Sequence, residues 1–318
     1  MLTRSDGMGA SWTPNKWFLQ EMVLGIDCLK QAIRDRMSNR QLVSLAERRA
    51  GVDNIAAFGS GGSLKPLTWQ TLGGVRAAKF QPRQASGTGM VIYAHGGAFV
   101  AGSPHSHQVL CENIARYAGV PVLSIAYRLA PEHPHPAAVD DLTAVYQALL
   151  DQGSDPSRLV LAGDSAGATI ALLALCRLRD DGRTMPKAAV MISPLYDFTC
   201  SSSTYADMAT VDPFITRTGL VEDINQYLCD GVASIDDLQK ALGNLTGLPP
   251  LLIQVGSDEV LLGDAEMLAQ NAGRAGVPVV LEVWPHMSHV WHLFPAYVDE
   301  ALEASRAIGR FIEQALAK

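Results

Sequence analysis

One serine lies in a setting that could make it a nucleophile. Ser165 is the central residue of the sequence GDSAG, which follows the apolar run Leu159–Ala162 and precedes a helical pattern that begins at Ala166. A G-x-S-x-G sequence between a strand and a helix forms a sharp turn that exposes the serine hydroxyl above the sheet. In an isolated motif the serine could simply cap the helix, but the strand, turn and helix order favours a nucleophile.

Two glycines that follow an earlier apolar run could provide backbone hydrogen-bond donors. Gly96 and Gly97 come just after Met90–Ala94, in the sequence HGGAF. The tetrahedral intermediate of acyl transfer carries negative charge on the former carbonyl oxygen, and backbone N–H groups stabilise that charge when no side chain blocks their approach. We therefore predict Gly96 and Gly97 as oxyanion-hole residues. An ordinary turn is the alternative for this segment taken alone.

A serine nucleophile needs a histidine base and a carboxylate that fixes the tautomer of that base. In folds with this serine motif, the three residues follow the chain order serine, acid, histidine. Asp258 comes directly after the apolar run Leu251–Val255, and we predict it as the acid. Glu259 and Asp264 are the alternatives, although Asp264 lies where the cap of the next helix is expected.

Three histidines compete for the role of the base. His286, His289 and His292 all follow the apolar run Val279–Val283. We predict His289, because it lies in the loop after this last run. His286 is close to the end of the run and His292 is expected at the following helix, so both remain alternatives.

Two further pairs of histidines have an H-x-H spacing that could suit a metal ion. They are His105 with His107 and His133 with His135. No cysteine and no acidic cluster accompanies them at ligand spacing, so solvated or hydrogen-bonded histidines are favoured. We predict no metal and no cofactor.

The elements that must position these residues alternate along the chain. Short runs rich in Val, Ile and Leu predict strands buried on both faces of a parallel sheet, and helical patterns separate most of them. The pattern predicts an α/β fold, a mostly parallel doubly wound sheet of about eight strands with a helical cap. The predicted strands are Leu67–Leu72, Val75–Phe80, Met90–Ala94, Val122–Ala126, Leu159–Ala162, Ala188–Ile192, Leu251–Val255 and Val279–Val283. The predicted helices are Gln108–Ala118, Ala137–Leu150, Ala166–Arg179, Ala265–Ala275 and Ala301–Leu316.

Two regions without convincing strands are predicted to form the cap. Residues 1–55 contain two amphipathic helical patterns, and the Gly/Ser-rich run Phe58–Ser63 after them is expected to be flexible. Residues 197–247, called the insertion below, lie between two predicted strands. Residues 56–196 and 248–318 would then form the catalytic domain.

Composition excludes several classes of protein. The chain has 318 residues, 48% of them hydrophobic, and a formal net charge of -7 without a Lys/Arg run. A binder of nucleic acid or of anionic lipid needs basic patches, so neither class is favoured. Five cysteines at irregular spacings are expected to be reduced. Because no signal-like segment and no spanning apolar run is found, we expect a cytoplasmic protein.

Six segments together resemble the hormone-sensitive lipase family of esterases. They are HGGAF (His95–Phe99), YRLAPE (Tyr127–Glu132), PAAVDD (Pro136–Asp141), GDSAG (Gly163–Gly167), LPPLLIQVGSDE (Leu248–Glu259) and SHVWHLF (Ser288–Phe294). The resemblance implies an α/β-hydrolase fold, a two-part cap and hydrolysis of short-chain acyl esters. It also implies that Ser165, Asp258 and His289 are the triad, and it adds Ala166 to Gly96 and Gly97 in the oxyanion hole.

The resemblance leaves the substrate and the assembly open. A lipase, an amidase or an arylformamidase could use the same triad, and a ligand-binding relative without catalysis is a further alternative. The expected partner is a small-molecule ester, and a homodimer is one state to test because dimers are frequent in the family. Residues that could line the pocket are Trp17, Phe18, Tyr196, Phe214 and Val290.

Overall fold

A computed structural model describes residues 25–37, 44–62, 64–85, 87–229 and 233–317. Trp17 and Phe18, which we predicted as pocket residues on a helix, lie outside the described residues. None of the helices within these ranges is both long and apolar enough to cross a bilayer.

The described part of the chain is built around one sheet of eight strands. The strands are β1 (Trp69–Leu72), β2 (Val75–Phe80), β3 (Met90–Ala94), β4 (Val122–Ile125), β5 (Leu159–Asp164), β6 (Ala188–Ile192), β7 (Leu251–Gly256) and β8 (Val279–Trp284). Their order is β1-β2-β4-β3-β5-β6-β7-β8. Strand β2 is antiparallel to both of its neighbours, and the six strands β3 to β8 are parallel to one another. Strands β1 and β2 form a hairpin at Gly73 and Gly74, whose φ angles of 56° and 81° suit a two-residue turn.

Helices cover both faces of the sheet. They are α1 (Ile26–Met37), α2 (Leu45–Asp53), α3 (Ile55–Ser60), α4 (Gln108–Ala118), α5 (Ala137–Asp151), α6 (Ala166–Asp180), α7 (Thr204–Asp207), α8 (Arg217–Tyr227), α9 (Ile235–Gly243), α10 (Leu262–Arg274) and α11 (Glu300–Ala317). The sheet has a hydrophobic core on each face, and alternate residues of β3 belong to different cores. Ile92 packs with α5 and α6, whereas Val91 and Tyr93 pack with α4 and α11. The predicted α/β class with a doubly wound sheet is confirmed.

One predicted flexible segment is partly helical. Within the run Phe58–Ser63, helix α3 continues to Ser60 and ends at Gly61, whose φ of 65° is left-handed. The Phe58 ring stacks on Tyr297, with 4.8 Å between the ring centroids. The beginning of this run is therefore a helix packed through an aromatic contact, and its flexibility stays a prediction.

The insertion leaves the sheet between β6 and β7. Its described residues, 197–229 and 233–247, form helices α7 to α9 and no strand, as predicted. The division of the chain into catalytic and cap parts stays a prediction.

Charged side chains attach the N-terminal helices α1 and α2 to the rest of the molecule. Their partners lie on the insertion and on loops at the carboxyl ends of the strands. The contacts are Lys30 to Asp258, Arg34 to the Val211 carbonyl, Arg48 to Asp223 and Arg49 to Glu132.

Candidate active site

Ser165 occupies the turn between β5 and α6. Its φ of 52° and ψ of −125° are unusual for a residue with a side chain, and the side chain is largely buried. Its N–H donates to the Ile192 carbonyl at 2.8 Å. A Cβ atom at Gly163 would lie 2.5 Å from Gly167, and one at Gly167 would lie 2.1 Å from the Ala94 carbonyl oxygen. Glycine on both sides therefore permits the tight turn.

His289 and Glu259 form a buried pair. The Nδ1 atom of His289 lies 2.8 Å from the Glu259 carboxylate, and Glu259 has no solvent exposure. The second carboxylate oxygen accepts from the Gly256 N–H at 2.6 Å and from the Ser193 hydroxyl at 2.8 Å. Because a carboxylate accepts at Nδ1, the proton of the neutral imidazole belongs there and Nε2 is free to act as a base.

The predicted acid, Asp258, has other partners in the structure. Asp258 does not face His289. Its carboxylate lies 2.5 Å from Lys30 Nζ and 2.8 Å from the Ser257 hydroxyl. Burial favours the neutral acid, but these two donors and the Lys30 charge outweigh it and lower the pKa of Asp258. Strand β7 continues one residue further than predicted, and the chain after Gly256 turns so that Glu259 points back towards the sheet.

Three more residues that could have served as acid or base lie away from the pair. Asp264 is inside helix α10, where its carboxylate accepts from the N–H groups of Tyr196 and Asp197. His286 is exposed at the surface. His292 is fully buried with Nε2 2.7 Å from the Gln254 side chain, and burial lowers its pKa to about 3, so it is neutral.

The electrostatic environment of His289 favours its protonated form. Burial opposes protonation, but the hydrogen bond and the charge of Glu259, with the charges of Asp212 and Asp164, outweigh burial and raise the pKa of His289. A base that accepts a proton from a serine becomes an imidazolium. The surroundings of His289 are therefore arranged to stabilise the charge that such a step creates.

The N–H groups of the three predicted oxyanion donors differ in their hydrogen bonding. The N–H of Gly96 donates to the Asp164 carboxylate at 2.9 Å, so it is already engaged. Among the described residues, the N–H groups of Gly97, Ala98 and Ala166 have no acceptor. Ala98, which sequence reasoning missed, is left-handed with a φ of 53°, a backbone conformation that the sequence HGGAF does not disclose.

The two glycines of this loop have different steric roles. A Cβ atom at Gly96 would lie 2.2 Å from the Asp164 carboxylate, whereas one at Gly97 would lie 2.1 Å from the Ala101 carbonyl oxygen. Gly97 also has a φ of 124°, which a residue with a side chain rarely adopts. Gly96 thus permits contact with the serine turn, and Gly97 permits the backbone course that leaves its own N–H free.

Asp164 links the serine turn to the glycine loop. The residue is buried, and it also accepts from the Tyr93 hydroxyl at 2.6 Å and contacts His107 Nε2 at 3.1 Å. Burial favours the neutral acid, but the His107 charge and hydrogen bond and the Tyr93 hydroxyl outweigh it and lower the pKa of Asp164. Sequence reasoning missed this role, for which the signal was an acidic residue at the second position of GDSAG.

The network around Asp164 accounts for one histidine of the H-x-H pairs. His107 is buried within it, and His135 Nδ1 lies 3.0 Å from the Tyr227 hydroxyl. In the part of the chain that the structure describes, no group of three metal-ligating side chains is found.

Ser193, which follows β6, holds both partners of the buried pair. Its hydroxyl donates to Glu259 and accepts from the N–H of Val290, which follows His289. It is fully buried and left-handed, with a φ of 44°. Ser165 donates to the carbonyl of Ile192, the residue before Ser193. The end of β6 therefore contacts both the turn at Ser165 and the pair formed by His289 and Glu259. No sequence motif pointed to Ser193.

Of the predicted pocket residues, Phe214 contacts the base. Its ring meets the His289 ring edge to face, with 6.3 Å between the centroids. Tyr196 is buried, and its hydroxyl donates to the Leu242 carbonyl at 3.0 Å, so it packs the insertion. Val290 adopts a left-handed φ of 47° beside the base.

Comparison with known proteins gives matches over most of the chain. A family model described as alpha/beta hydrolase fold matches residues 91–293. An acetyl-hydrolase from Streptomyces hygroscopicus is 42% identical over 259 residues, which cover 81% of this chain and 86% of the relative. An esterase from Acinetobacter venetianus is 36% identical over 241 residues, which cover 76% of this chain and 79% of the relative.

Solved structures are similar over nearly the whole chain. The crystal structure of an esterase from the bacterial hormone-sensitive lipase family superimposes with a TM-score of 0.86 at 35% identity, covering 92% of this chain and 98% of the other. The crystal structure of EstE5 soaked by p-nitrophenyl butyrate gives a TM-score of 0.84 at 35% identity, covering 92% and 99%.

Proposed function

Because this chain belongs to the hormone-sensitive lipase family of esterases within the α/β-hydrolase fold, we propose that Ser165, His289 and Glu259 form its catalytic triad. The chain is a carboxylic ester hydrolase, and the buried contact of 2.8 Å between His289 and Glu259 supports this triad most directly. Ser165 supplies the hydroxyl at a turn that only small neighbours permit.

In the proposed reaction, His289 Nε2 takes the proton of Ser165 as the serine oxygen attacks the ester carbonyl carbon. The N–H groups of Gly97, Ala98 and Ala166 donate to the oxyanion that forms. Collapse of this intermediate breaks the bond to the alcohol, which leaves with the proton from the imidazolium. A water molecule then attacks the acyl-enzyme in the same way and releases the acid.

Glu259 orients the base in the proposed reaction. It keeps the Nδ1 proton of His289 in place and balances the imidazolium charge. The Gly256 N–H and the Ser193 hydroxyl fix the second oxygen of the carboxylate, so the side chain has one orientation in which it can meet the base.

We propose short-chain acyl esters as substrates. This choice is supported by the relatives, one named an acetyl-hydrolase and one solved after soaking with p-nitrophenyl butyrate. A series of aryl esters from acetate to palmitate tests it, and a maximum of kcat/KM at the long acyl chains would contradict it. The homodimer expected from the family stays a prediction.

The triad is tested by Ser165→Ala. We expect this change to lower kcat for p-nitrophenyl butyrate by a factor of about 10³ or more, because no other hydroxyl occupies the turn. Ser305→Ala is a matched control, since Ser305 is a buried serine of α11 whose hydroxyl donates to the Ala301 carbonyl. A fluorophosphonate probe should label the wild type and the control but not Ser165→Ala. Labelling of Ser165→Ala at the wild-type rate would reject the assignment.

A further inference from the structure

A second buried carboxylate reaches from the insertion to residues 257–260, which follow β7, carry the proposed acid Glu259 and are called the acid loop below. Asp212 is 7% exposed, and one of its carboxylate oxygens accepts from the N–H of Val260 at 3.0 Å. Val260 directly follows Glu259, so this hydrogen bond fixes the backbone next to the proposed acid.

Asp212 also orders the part of the insertion that covers the base. Its second carboxylate oxygen accepts from the N–H groups of Phe214 and Ile215 at 2.8 and 3.1 Å. Phe214 meets the ring of His289 edge to face. The same side chain therefore organises the neighbours of the base and of the acid.

The charge of Asp212 acts on the base as well. Burial raises the pKa of Asp212, whereas the charge of His289 and the hydrogen bonds from Val260 and Phe214 favour the ionised carboxylate. Glu259 and Asp164 are the other acidic groups that act on the imidazole. His292, which also lies near His289, is neutral. The preceding residue, Val211, accepts from Arg34 on α1 through its carbonyl, so the Arg34 cation is directed at the backbone.

A purely local role would explain only part of this arrangement. An aspartate that accepts from the N–H groups two and three residues ahead is a common turn, and a serine or asparagine can form it too. The hydrogen bond to Val260, 48 residues further along the chain, and the charge near His289 are not needed for that turn. A carboxylate provides both a second oxygen that accepts from the Val260 N–H and a negative charge.

We propose that Asp212 is a positioning residue for the proposed triad, which holds the acid loop through Val260 and places a second negative charge near His289. The proposal rests on the proposed function. When His289 accepts the serine proton, Asp212 stabilises the resulting imidazolium together with Glu259. Because the residue belongs to the insertion, the insertion takes part in setting the strength of the base.

The test compares the pH dependence of kcat/KM for p-nitrophenyl butyrate, with product followed at an isosbestic wavelength, in the wild type, Asp212→Asn and Asp212→Ser. Loss of a negative charge makes the imidazolium less stable, so the acid limb should move to lower pH by roughly half a unit. The plateau should fall by roughly a factor of three, because the transition state loses the same stabilisation and half a pKa unit corresponds to about that factor. Asp212→Ser keeps an acceptor for Phe214 and Ile215 and guards against misfolding of the asparagine variant.

Asp223→Asn is the matched control. Asp223 is a buried carboxylate of the same insertion, and it pairs with Arg48 at 2.5 Å on α2 instead of with the acid loop. The control should keep the acid limb of the wild type. An unchanged acid limb in both folded Asp212 variants would overturn the proposal, and so would an equal shift in the control.

Failure of the proposal can be told apart from failure of the proposed function. The rate of labelling by a fluorophosphonate depends on the same base, so its pH profile should show the same shift without ester turnover. If Ser165 is not the nucleophile, the wild type itself is not labelled at this residue. If only the role of Asp212 is wrong, the wild type is labelled and the variants share its profile.

Discussion

At the scale of single residues, two adjacent carboxylates have opposite surroundings. Glu259 is fully buried and receives His289, Ser193 and Gly256, whereas the Asp258 side chain is 19% exposed and pairs with Lys30. A buried acid next to an imidazole orients the base, while an acid at the rim stabilises the docking of a helix. The difference between the two residues predicts different consequences of their replacement.

Glu259→Gln should lower kcat/KM by about 10² to 10⁴-fold, because an amide cannot both fix the Nδ1 proton and balance the imidazolium. Asp258→Asn should lower it by less than about tenfold, since the loss falls on the Lys30 contact. Steady-state kinetics with p-nitrophenyl butyrate compares the two variants under conditions in which both are folded. A larger loss for Asp258→Asn would restore that residue as the acid.

The sequence indicated where the acid lies but not which of the two carboxylates faces the base. Both follow the same strand, and their orientation depends on the turn that the Gly256 N–H and the Ser193 hydroxyl stabilise. The contact with Ser193 joins residues 66 positions apart in the chain. The hydrogen bond of Gly96 could not be predicted for the same reason. Its N–H donates to Asp164, which lies at the end of the neighbouring strand β5 and 68 residues away in the chain.

At the scale of elements, the close approach of α11 to α4 depends on one glycine. A Cβ atom at Gly309 would lie 2.5 Å from the backbone of Tyr117. Both helices pack on the face of the sheet that holds Val91 and Tyr93, and neither contributes a residue to the proposed triad. A change at Gly309 should therefore affect the stability of the fold and leave the active site intact.

Gly309→Ala should lower the free energy of unfolding by about 1 to 3 kcal/mol, because backbone atoms must move apart. Gly273→Ala on α10 is the matched control, since its Cβ would meet its nearest neighbour at 4.0 Å. It should gain about 0.5 to 1 kcal/mol from reduced freedom of the unfolded chain. Urea denaturation measures both variants, and kcat/KM should stay within about twofold of the wild type. Equal stabilities of the two variants would contradict this packing argument.

Elements were easier to predict than contacts. The parallel strands β3 to β7 are almost fully buried, which leaves a continuous apolar run in the sequence. The insertion was identified only as a region without strands. That Asp212 within it returns to Val260 depends on tertiary packing, for which no periodic pattern exists.

At the scale of the whole molecule, stability depends on pH through buried groups away from the triad. Asp264 has no solvent exposure, and it joins α10 to the beginning of the insertion by accepting from Tyr196 and Asp197. Burial raises its pKa to about 7, against the effect of these two hydrogen bonds. A carboxyl group with a raised pKa in the folded state binds more protons than the unfolded chain, so its contribution to stability is lost as pH rises towards and through 7.

Asp264→Asn should remove this contribution, because the amide stays neutral and its oxygen can still accept from both N–H groups. The variant should gain stability relative to the wild type between pH 5 and pH 8.5, on the order of 1 to 3 kcal/mol. Urea denaturation at the two pH values measures the gain. If the difference between the variant and the wild type is the same at both values, Asp264 does not titrate in this range.

The acid loop is the place where both outer parts of the molecule meet the proposed catalytic residues. Lys30 of α1 binds the residue before Glu259, and Asp212 of the insertion binds the residue after it. These outer parts are therefore not interchangeable modules. A chimera that takes them from a relative should retain full turnover only when residues 257–260 are exchanged with them, so substrate range and catalytic rate are inherited together.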